Sequence, residues 1–288
     1  MGSNNALVRS VPAKDPPIRG YARVLANLAE GNGRRIRVAI RGWPGAIPGQ
    51  FVMVGAGAEA SVPRYDPLLS RPMAVYREHG PGEAGEAEIE LFYRVVGRGT
   101  ALLSEVGPAQ RVSIVGPLGR GFPLVDCGSG GGPALLVGGG TGIASLYEFA
   151  RALAEAGRSV VLLLGAGARD DLIGRADFEA LGLELVCTTE DGSDGIRGLV
   201  TGPLETRLAE HGSAASVFAV GPTPMLRACA DLAARYAAAC LVSLENPMAC
   251  GFGVCLGCAV PRAEEGFSLV CRDGPVFDAR EIDWEGLP

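Results

Sequence analysis

Four cysteines crowd the C-terminal part of the sequence with a spacing that suits metal chemistry. Cys250, Cys255, Cys258 and Cys271 form the pattern C-x4-C-x2-C-x12-C, and the first three match the spacing of one class of [2Fe–2S] proteins. Two irons need four thiolates, and here a tight loop supplies three of them. A structural zinc site is the alternative, but zinc more often uses two C-x2-C pairs or histidines, and no histidine follows His211. The pattern therefore favours a two-iron cluster.

Glycines at two predicted strand ends suggest a site for a phosphate-bearing ligand. Such glycines allow the backbone to approach a pyrophosphate, whose charge is stabilised by a following helix N-terminus. A plain tight turn is the alternative, because the spacing differs from the G-x-G-x-x-G motif. The candidate nucleotide-binding residues are Gly138, Gly139, Gly140, Thr141, Gly142, Gly221 and Pro222.

A third group of residues combines arginine, proline and aromatic side chains in the N-terminal half. Taken alone, an Arg-Pro pair in a strand needs no explanation beyond a structural role. Its place in front of the glycine-rich turn makes it a candidate ligand-binding surface. The residues concerned are Arg71, Pro72, Met73, Ala74, Phe92, Tyr93, Arg94, Gly99 and Thr100.

Short strands separated by Gly and Pro are predicted to precede the glycine-rich turn. The segment 35–40 alternates with the period of a half-buried strand. Regular short strands of this kind are typical of a small antiparallel barrel, predicted over residues 19–127 after a flexible tail over 1–18. The further predicted strands are 50–54, 72–76, 88–95 and 111–115.

Strands and helices alternate from about residue 133, which predicts a doubly wound α/β domain over 133–242. The strands 134–137, 159–164, 183–188, 216–220 and 240–244 are largely apolar, as in a parallel sheet covered on both faces. Helices are predicted over 143–155, 203–210 and 222–236. The alternation stops near residue 243, so residues 243–288 are predicted to form a small cysteine-rich domain.

Composition excludes several classes of function. The chain has 288 residues, of which 48% are hydrophobic and 20% charged, so it is globular. Its net charge of -6 is a poor match for nucleic acid, whose binding depends on phosphate neutralisation. No run of 18 uncharged apolar residues predicts a membrane span. No secretory signal is recognised at the N-terminus, and eight cysteines without one favour the reducing cytoplasm.

The remaining cysteines and both histidines are expected to play no chemical role. Cys127, Cys187, Cys229 and Cys240 have apolar or small neighbours, which is typical of inert thiols. His79 and His211 lie in polar segments and are predicted to be solvated loop residues. Serine or cysteine hydrolase chemistry is therefore not predicted, because neither histidine is expected to act as a general base.

The order of the three motifs resembles the ferredoxin–NADP reductase superfamily. The segment 243–258, which reads SLENPMACGFGVCLGC, is similar to one branch of it, the electron-transfer subunits of two-component, NAD-dependent dihydroorotate dehydrogenases. The resemblance covers roughly residues 20–280. It implies a β barrel that binds FAD, an α/β domain that binds NAD and a C-terminal [2Fe–2S] domain.

The resemblance also implies roles for the motif residues. Residues 71–74 and 92–94 would hold the flavin, Gly99 and Thr100 would meet its pyrophosphate, and the four cysteines would hold the cluster. Ala74 departs from the serine usual in the family and lacks its hydroxyl. No catalytic side chain is implied beyond the cofactors. The implied partner is an FMN-containing dihydroorotate dehydrogenase catalytic subunit of pyrimidine biosynthesis, in a cytoplasmic heterotetramer without nucleic acid or membrane.

Three questions stay open at this point. The chain could instead be a reductase subunit of a hydrogenase, a sulfide dehydrogenase or an NADH–ferredoxin transhydrogenase, since these share the order of domains. A zinc-stabilised nucleotide-binding regulator is the alternative outside redox chemistry. Arg169, followed by Asp170 and Asp171, leaves NAD and NADP open, because an acid suits a free ribose hydroxyl and an arginine suits a 2′-phosphate.

Overall fold

The computed structural model describes residues 10–12, 15–56, 67–80, 85–124 and 131–287. Within them, no helix is long and apolar enough to cross a membrane. The N-terminal part is a closed six-stranded antiparallel barrel in the order β2-β3-β6-β5-β4-β7. Its strands are β2 (Ile18–Glu30), β3 (Gly33–Ile40), β4 (Phe51–Gly55), β5 (Arg71–His79), β6 (Ala87–Tyr93) and β7 (Arg111–Leu118).

Five of these strands overlap the predicted ones, but the longest, β2, was missed. Its alternation is interrupted by a bulge between Val24 and Ala26, and small and charged residues dilute its apolar face. A short helix, α1 (Arg98–Glu105), was also missed, because Gly97 and Gly99 have low helix propensity. This helix matters for the site, since its first turn contains the predicted Gly99–Thr100 pair.

Two residues within the predicted tail pair with a short strand that follows the barrel. Strand β1 (Val11–Pro12) is antiparallel to β8 (Arg120–Gly121). Arg120 donates hydrogen bonds from Nε and Nη2 to Oγ and the carbonyl oxygen of Ser10, at 2.9 and 2.8 Å. Residues 10–12 are therefore held by these contacts, whereas most of the flexible tail predicted over 1–18 lies outside the described residues.

The second half contains a seven-stranded sheet in the order β12-β11-β10-β9-β13-β14-β17, in which only β17 (Val276–Asp278) is antiparallel to its neighbour. The helices are α2 (Tyr147–Glu155), α3 (Arg175–Ala180), α4 (Thr201–His211) and α5 (Thr223–Arg235). The parallel strands are β9 (Ala134–Gly139), β10 (Val160–Ala166), β11 (Glu184–Thr189), β12 (Ile196–Arg197), β13 (Ser216–Val220) and β14 (Ala239–Ser243).

The chain after β9 differs from the predicted helix over 143–155. It first forms a 3₁₀ turn over Gly140–Leu146, and the α-helix begins only at Tyr147. Gly140 has a φ of +56°, a conformation that glycine adopts at low cost. The turn lifts the start of the helix away from the strand and leaves the backbone of Gly140 open, with nothing near the position of a Cβ.

The C-terminal segment is joined to both other parts of the molecule. Strand β17 (Val276–Asp278) completes the sheet beside β14, and β15 (Ala259–Pro261) and β16 (Phe267–Leu269) form a hairpin. Cys258 and Cys271 are buried in one apolar cluster with Met53 and Leu118 of the barrel. The predicted domain over 243–288 is thus packed against the barrel and contributes a strand to the α/β sheet.

The barrel and the α/β domain also share a core of aromatic side chains. The ring of Tyr76 lies 4.1 Å from that of Phe92 and 5.0 Å from that of Tyr147, between centroids. The Tyr76 hydroxyl donates to Asp177 Oδ2 at 2.8 Å, and Arg35 Nη2 lies 2.6 Å from the same oxygen. These contacts fix the position of α3 against the barrel.

The structure corrects the prediction for His79 and part of that for His211. His79 is the last residue of β5, with a side chain only 29% exposed, and its Nε2 lies 2.8 Å from Glu90 Oε1. It is not a solvated loop residue, because strand pairing places it beside Glu88 on β6. His211 is exposed, at the end of α4 rather than in a loop.

The thiols expected to be inert are buried where they are described. Cys187, Cys229 and Cys240 are free and buried. Burial raises the pKa of all three, that of Cys229 to about 12. They therefore stay protonated and unreactive at neutral pH. Cys127 lies outside the described residues.

Candidate cofactor sites

One cavity of about 510 Å³ lies where the barrel, the α/β domain and the chain leading to the cysteines meet. This volume is within the range of cofactor sites. It brings together predicted residues from two motifs, since residues 71–74, Phe92, Tyr93, Arg94 and Thr100 line it with Thr141 and Gly142. Gly138, Gly139, Gly140, Gly221, Pro222 and Gly99 do not line it.

Arg71 and Gly99 are in direct contact at the edge of this cavity. A Cβ on Gly99 would lie 2.5 Å from Nη2 of Arg71 and 2.7 Å from its Nε. Nη1 of the same arginine donates a hydrogen bond to the carbonyl oxygen of Leu69. The guanidinium group is therefore held over the N-terminus of α1, and only a glycine at position 99 leaves room for it there.

The buried Thr100 organises the start of α1. Its Oγ1 accepts hydrogen bonds from the backbone N–H groups of Val96 and Gly97, at 3.0 and 3.2 Å, and donates to the carbonyl oxygen of Gly97. No acidic residue lies in the first turn of the helix. This N-terminus and the nearby Arg71 together favour a negatively charged group.

The aromatic end of β6 contributes apolar surface and one outward-facing arginine. Tyr93 donates from its hydroxyl to Asn27 Oδ1 at 2.8 Å, so the hydroxyl is already engaged, and burial raises the pKa of Tyr93. Arg94 Nη2 lies 3.2 Å from Asp171 Oδ1, in the loop after β10. Arg94 therefore connects the cavity to the α/β domain.

The two glycine motifs meet at the carboxyl edge of β9 and β13. A Cβ on Gly142 would lie 3.0 Å from Val220 and 3.1 Å from the backbone nitrogen of Gly221, and a Cβ on Gly221 would lie 3.2 Å from the Cα of Gly139. The strand order reverses between these two strands, which is where ligands bind in open α/β sheets. Gly138 is different, because it is buried in β9, where a Cβ would be 2.6 Å from Ile143. Packing explains that glycine.

The four predicted cysteines stand as two pairs. The Sγ atoms of Cys258 and Cys271 are 3.2 Å apart, both buried. Cys250 is half-buried and receives a hydrogen bond from the side chain of Cys255, which is exposed. Among the described residues, no three or more His, Cys, Asp or Glu side chains are arranged to hold a single metal ion.

The local environment shifts the pKa of Cys250 and that of Cys271 in opposite directions. Burial alone would raise the pKa of Cys250, but hydrogen bonds from the N–H groups of Cys255, Phe252 and Val254 outweigh it and lower the pKa to about 6. Burial, and then the neighbouring Cys258, raises the pKa of Cys271 to about 12. A thiolate is thus favoured at Cys250, whereas Cys271 needs a nearby cation to release its proton.

Sequence reasoning missed part of the cavity wall. Residues 243–248, directly before the first cysteine, line it together with Gly49, Phe51, Ser145 and Pro275. The motif search assigned 243–248 to the cysteine domain alone. The signal that could have found it was its position at the end of β14, because strand carboxyl ends form the ligand edge of such sheets.

Two family models match the chain. Residues 245–283 match the iron-sulfur cluster binding domain of dihydroorotate dehydrogenase B. Residues 136–231 match an oxidoreductase NAD-binding domain. The matches fall on the cysteine segment and on most of the parallel sheet.

Two solved structures of similar fold come from flavin-dependent electron transfer. An NADH-dependent reduced ferredoxin–NADP oxidoreductase, studied for flavin-based electron bifurcation, is 30% identical with a TM-score of 0.76, over 92% of this chain and 90% of that one. A ferredoxin–NADP⁺ reductase from Neisseria gonorrhoeae with bound FAD and NADP has a TM-score of 0.60 over 76% of this chain and 91% of that one. At 14% identity, the second likeness shows the fold alone.

Curated relatives are more similar in sequence. The electron transfer subunit of dihydroorotate dehydrogenase B (NAD(+)) from Geobacillus thermodenitrificans is 43% identical over 240 residues, which cover 82% of this chain and 86% of the relative. The corresponding subunit from Bacillus caldolyticus is 42% identical over 238 residues, with the same coverage of both chains. By this similarity along most of both sequences, the chain belongs to the family of electron transfer subunits of dihydroorotate dehydrogenase B.

Proposed function

We propose that this chain carries electrons between a partner dehydrogenase subunit and NAD, using FAD and a [2Fe–2S] cluster. The observation that carries the proposal is the shared cavity, because the barrel motif, the glycine-rich turn and the chain leading to the cysteines all line it. A flavin accepts a hydride, which carries two electrons, and releases them one at a time, and a two-iron cluster carries single electrons; this is the chemistry that these groups supply when bound.

The residues at the barrel side fit FAD. Arg71 and the N-terminus of α1 would hold the pyrophosphate, since Gly99 leaves the space that a Cβ would fill. Residues 71–74, Phe92 and Tyr93 supply a largely apolar wall for the ring system. Ala74 offers no hydroxyl, so contacts from that position come from the backbone. This departure changes the hydrogen bonding of the flavin ring without removing its binding surface.

The cysteines fit a two-iron cluster better than zinc. Each iron of such a cluster takes two thiolates, and Cys250 with Cys255 and Cys258 with Cys271 form two pairs. Structural zinc sites more often combine two C-x2-C pairs or include histidines, and the spacing here provides neither, which favours the cluster over a zinc-stabilised regulator. The role of the protein here is to place one pair at the surface and the other in the apolar core.

The glycine motifs fit a nicotinamide nucleotide. Gly139 and Gly142 lie against Pro222 and Gly221 across the strand switch point, and Thr141 and Gly142 line the shared cavity. A nucleotide lying along this edge would bring its nicotinamide towards the barrel side. The backbone at Gly140 is open for the approach of a phosphate.

The surface around Cys255 suits a partner protein. Phe252, Val254 and Leu256 are 53, 73 and 63% exposed on the cysteine loop, and apolar side chains grouped in this way mark interaction sites. The relatives are named as electron transfer subunits of a dihydroorotate dehydrogenase. The proposed partner is therefore the FMN-containing catalytic subunit of that enzyme, in a cytoplasmic heterotetramer that serves pyrimidine biosynthesis.

A related reductase subunit is the second candidate. It is favoured by the structural likeness to the NADH-dependent reduced ferredoxin–NADP oxidoreductase at 30% identity. The higher identity of 43% to the dihydroorotate dehydrogenase subunits weighs more, because it extends over a similar length. All four cysteines are also present here to complete a thiolate ligand set.

One reconstitution experiment tests the proposal. The chain is purified anaerobically alone and after co-expression with the FMN-containing subunit from the same genome, and both samples are analysed for FAD, iron and sulfide. We expect bound FAD and about two irons per chain, flavin bleaching by NADH, and NAD reduction by dihydroorotate only in the co-expressed complex. Turnover of dihydroorotate by the single chain, or zinc in place of iron and sulfide, would overturn it.

A further inference from the structure

The loops that follow β10 and β11 are fastened together through Arg169. Its backbone N–H donates to Ser193 Oγ at 2.8 Å, and its Nη2 donates to the carbonyl oxygen of Ser193 at 2.8 Å. Its Nε lies 3.2 Å from Asp194 Oδ2. The arginine that left the choice between NAD and NADP open in the sequence is therefore already engaged by the neighbouring loop.

Asp194 engages a second arginine with its other oxygen. Oδ1 lies 2.7 Å from Nη1 of Arg175, at the start of α3, and this hydrogen bond lowers the pKa of Asp194. The carboxylate is thus charged at neutral pH and is shared between two guanidinium groups, while its side chain is only 19% exposed.

The backbone holds Asp194 in this position. Its N–H donates to Oγ1 of the buried Thr189 at 3.0 Å, and the same hydroxyl donates to the carbonyl oxygen of Asp194 at 2.6 Å. The next residue, Gly195, is packed so closely on β11 that a Cβ would lie 2.1 Å from the carbonyl oxygen of Cys187. The bridge between the arginines is consequently a fixed part of the loop.

This bridge lies at the edge where the adenosine end of a dinucleotide would be placed. In doubly wound domains the pyrophosphate meets the glycine-rich turn, and the ribose 2′ position is recognised from the end of the adjacent strand. The glycine-rich turn follows β9, and Arg169 comes three residues after its neighbour β10. A 2′-phosphate needs an available cation there, whereas a 2′-hydroxyl does not.

We propose that Asp194 determines the preference for NAD over NADP by occupying Arg169 and Arg175. The proposal rests on the nucleotide site of the proposed function. With Asp194 in place, the doubly charged 2′-phosphate meets a carboxylate and two arginines that are already paired. Without the negative charge, both guanidinium groups become available to a phosphate, which Arg binds well.

The test removes the negative charge of Asp194 and keeps the shape of its side chain. The binding of 5′-AMP and of adenosine 2′,5′-bisphosphate to the full-length, FAD-loaded chain is measured by calorimetry for the wild type and Asp194→Asn. We expect the variant to bind the 2′,5′-bisphosphate at least tenfold more tightly than the wild type, with the affinity for 5′-AMP changed less than twofold. A ratio of the two affinities that stays within twofold of the wild type overturns the proposal.

Two further variants distinguish the release of Arg169 and Arg175 from a general change of surface charge. Glu179→Gln removes another carboxylate partner of Arg175, at 2.7 Å, but leaves Asp194 between the arginines, so no gain is expected. Adding Arg169→Ala to Asp194→Asn should remove most of the gain. A gain of equal size in Glu179→Gln, or one that persists in the double variant, contradicts the assignment.

A last variant keeps the proposal testable if Asp194→Asn is poorly folded. Arg169→Ala in the wild-type background should leave the affinity for the 2′,5′-bisphosphate within twofold, because the arginine is already occupied; a tenfold loss would show it to be available and overturn the idea. If wild-type protein binds neither 5′-AMP nor NADH, the nucleotide site itself fails. If it binds both and no variant shifts the ratio, only this inference fails.

Discussion

The side chain of Met53 lies directly against the backbone of Gly251. A Cβ on Gly251 would be 2.5 Å from Cγ of Met53 and 3.2 Å from Cδ1 of Leu118. Met53 is on β4, where it pairs in register with Pro72 on β5, and Gly251 immediately follows the first cysteine. The barrel wall proposed to hold the flavin and the cysteine loop are thus separated by a single layer of apolar side chains.

Gly251→Ala should disturb the cysteine loop. The residue has a φ of +84°, which costs a non-glycine residue about 1–2 kcal/mol, and its Cβ would collide with Met53. We expect loss of most of the iron and sulfide, measured after anaerobic purification, while FAD is retained. Gly202→Ala in α4, where a Cβ meets nothing within 4 Å, is the control and should keep full iron. Normal iron content in Gly251→Ala would contradict the expectation.

Met53→Ala should be costly because the side chain is 2% exposed in a core that includes two cysteines. Truncation of a buried methionine lowers the free energy of unfolding by about 2–5 kcal/mol. Met53→Leu keeps the volume and should cost less than about 1.5 kcal/mol. Urea unfolding of both variants measures the difference, and equal costs for the two would argue against the packing described for Met53.

Gly99→Ala should weaken the binding of FAD. The new methyl group would displace the guanidinium of Arg71, which lies 2.5 Å from the Cβ position. We expect at least a tenfold loss of affinity, measured by quenching of flavin fluorescence on titration of the apoprotein. Gly97→Ala is a matched control in the same turn, since a Cβ there meets nothing within 4 Å. Comparable affinities for the two variants would remove Arg71 from the proposed site.

Tyr76 should make stability depend on pH in the alkaline range. Burial, and then the hydrogen bond to Asp177, raises the pKa of Tyr76 above its ordinary value of 10.0. Its contribution is therefore complete below pH 10 and is lost as the pH rises further, because the unfolded chain releases this proton first.

Urea unfolding from pH 7 to pH 11 measures this dependence. Wild-type stability should fall more steeply with pH than that of Tyr76→Phe, by up to about 1.4 kcal/mol per pH unit above pH 10. Below pH 9 the two curves should run parallel, offset by the lost hydrogen bond to Asp177. Identical slopes over the whole range would show that Tyr76 ionises as readily in the folded protein as in the unfolded chain.

Cys255→Ser should remove the cluster without removing the flavin. Its side chain is exposed at the surface proposed for the partner, so the substitution leaves the core intact. We expect FAD to stay bound and to be reduced by NADH, while electron transfer to the partner subunit is lost. Cys187→Ala in β11 should keep both cofactors. Normal electron transfer in Cys255→Ser would show that the proposed order of carriers is wrong.

Local sequence patterns were enough to predict the elements whose functional residues lie close together in the sequence. The spacing of the cysteines and the apolar runs of β9 and β13 required no long-range information. By contrast, the bulge interrupts the alternating pattern that would predict β2, and the glycines lower the helix propensity at the start of α1. The contribution of residues 243–248 to the cavity depends on where β14 ends in the sheet. The pairing of Arg169 with Asp194 joins two loops, and no pattern within either loop indicates it.

The late position of β17 in the sequence matters while the chain is being synthesised. The sheet beside β14 lacks its last neighbour until residues 276–278 have left the ribosome, although the cysteine loop is made earlier. A nascent chain therefore exposes an unpaired edge next to reactive thiols, and such edges are open to association with other chains. The edge of β14 is therefore protected only once β17 has paired with it, after the cysteine loop has already been synthesised.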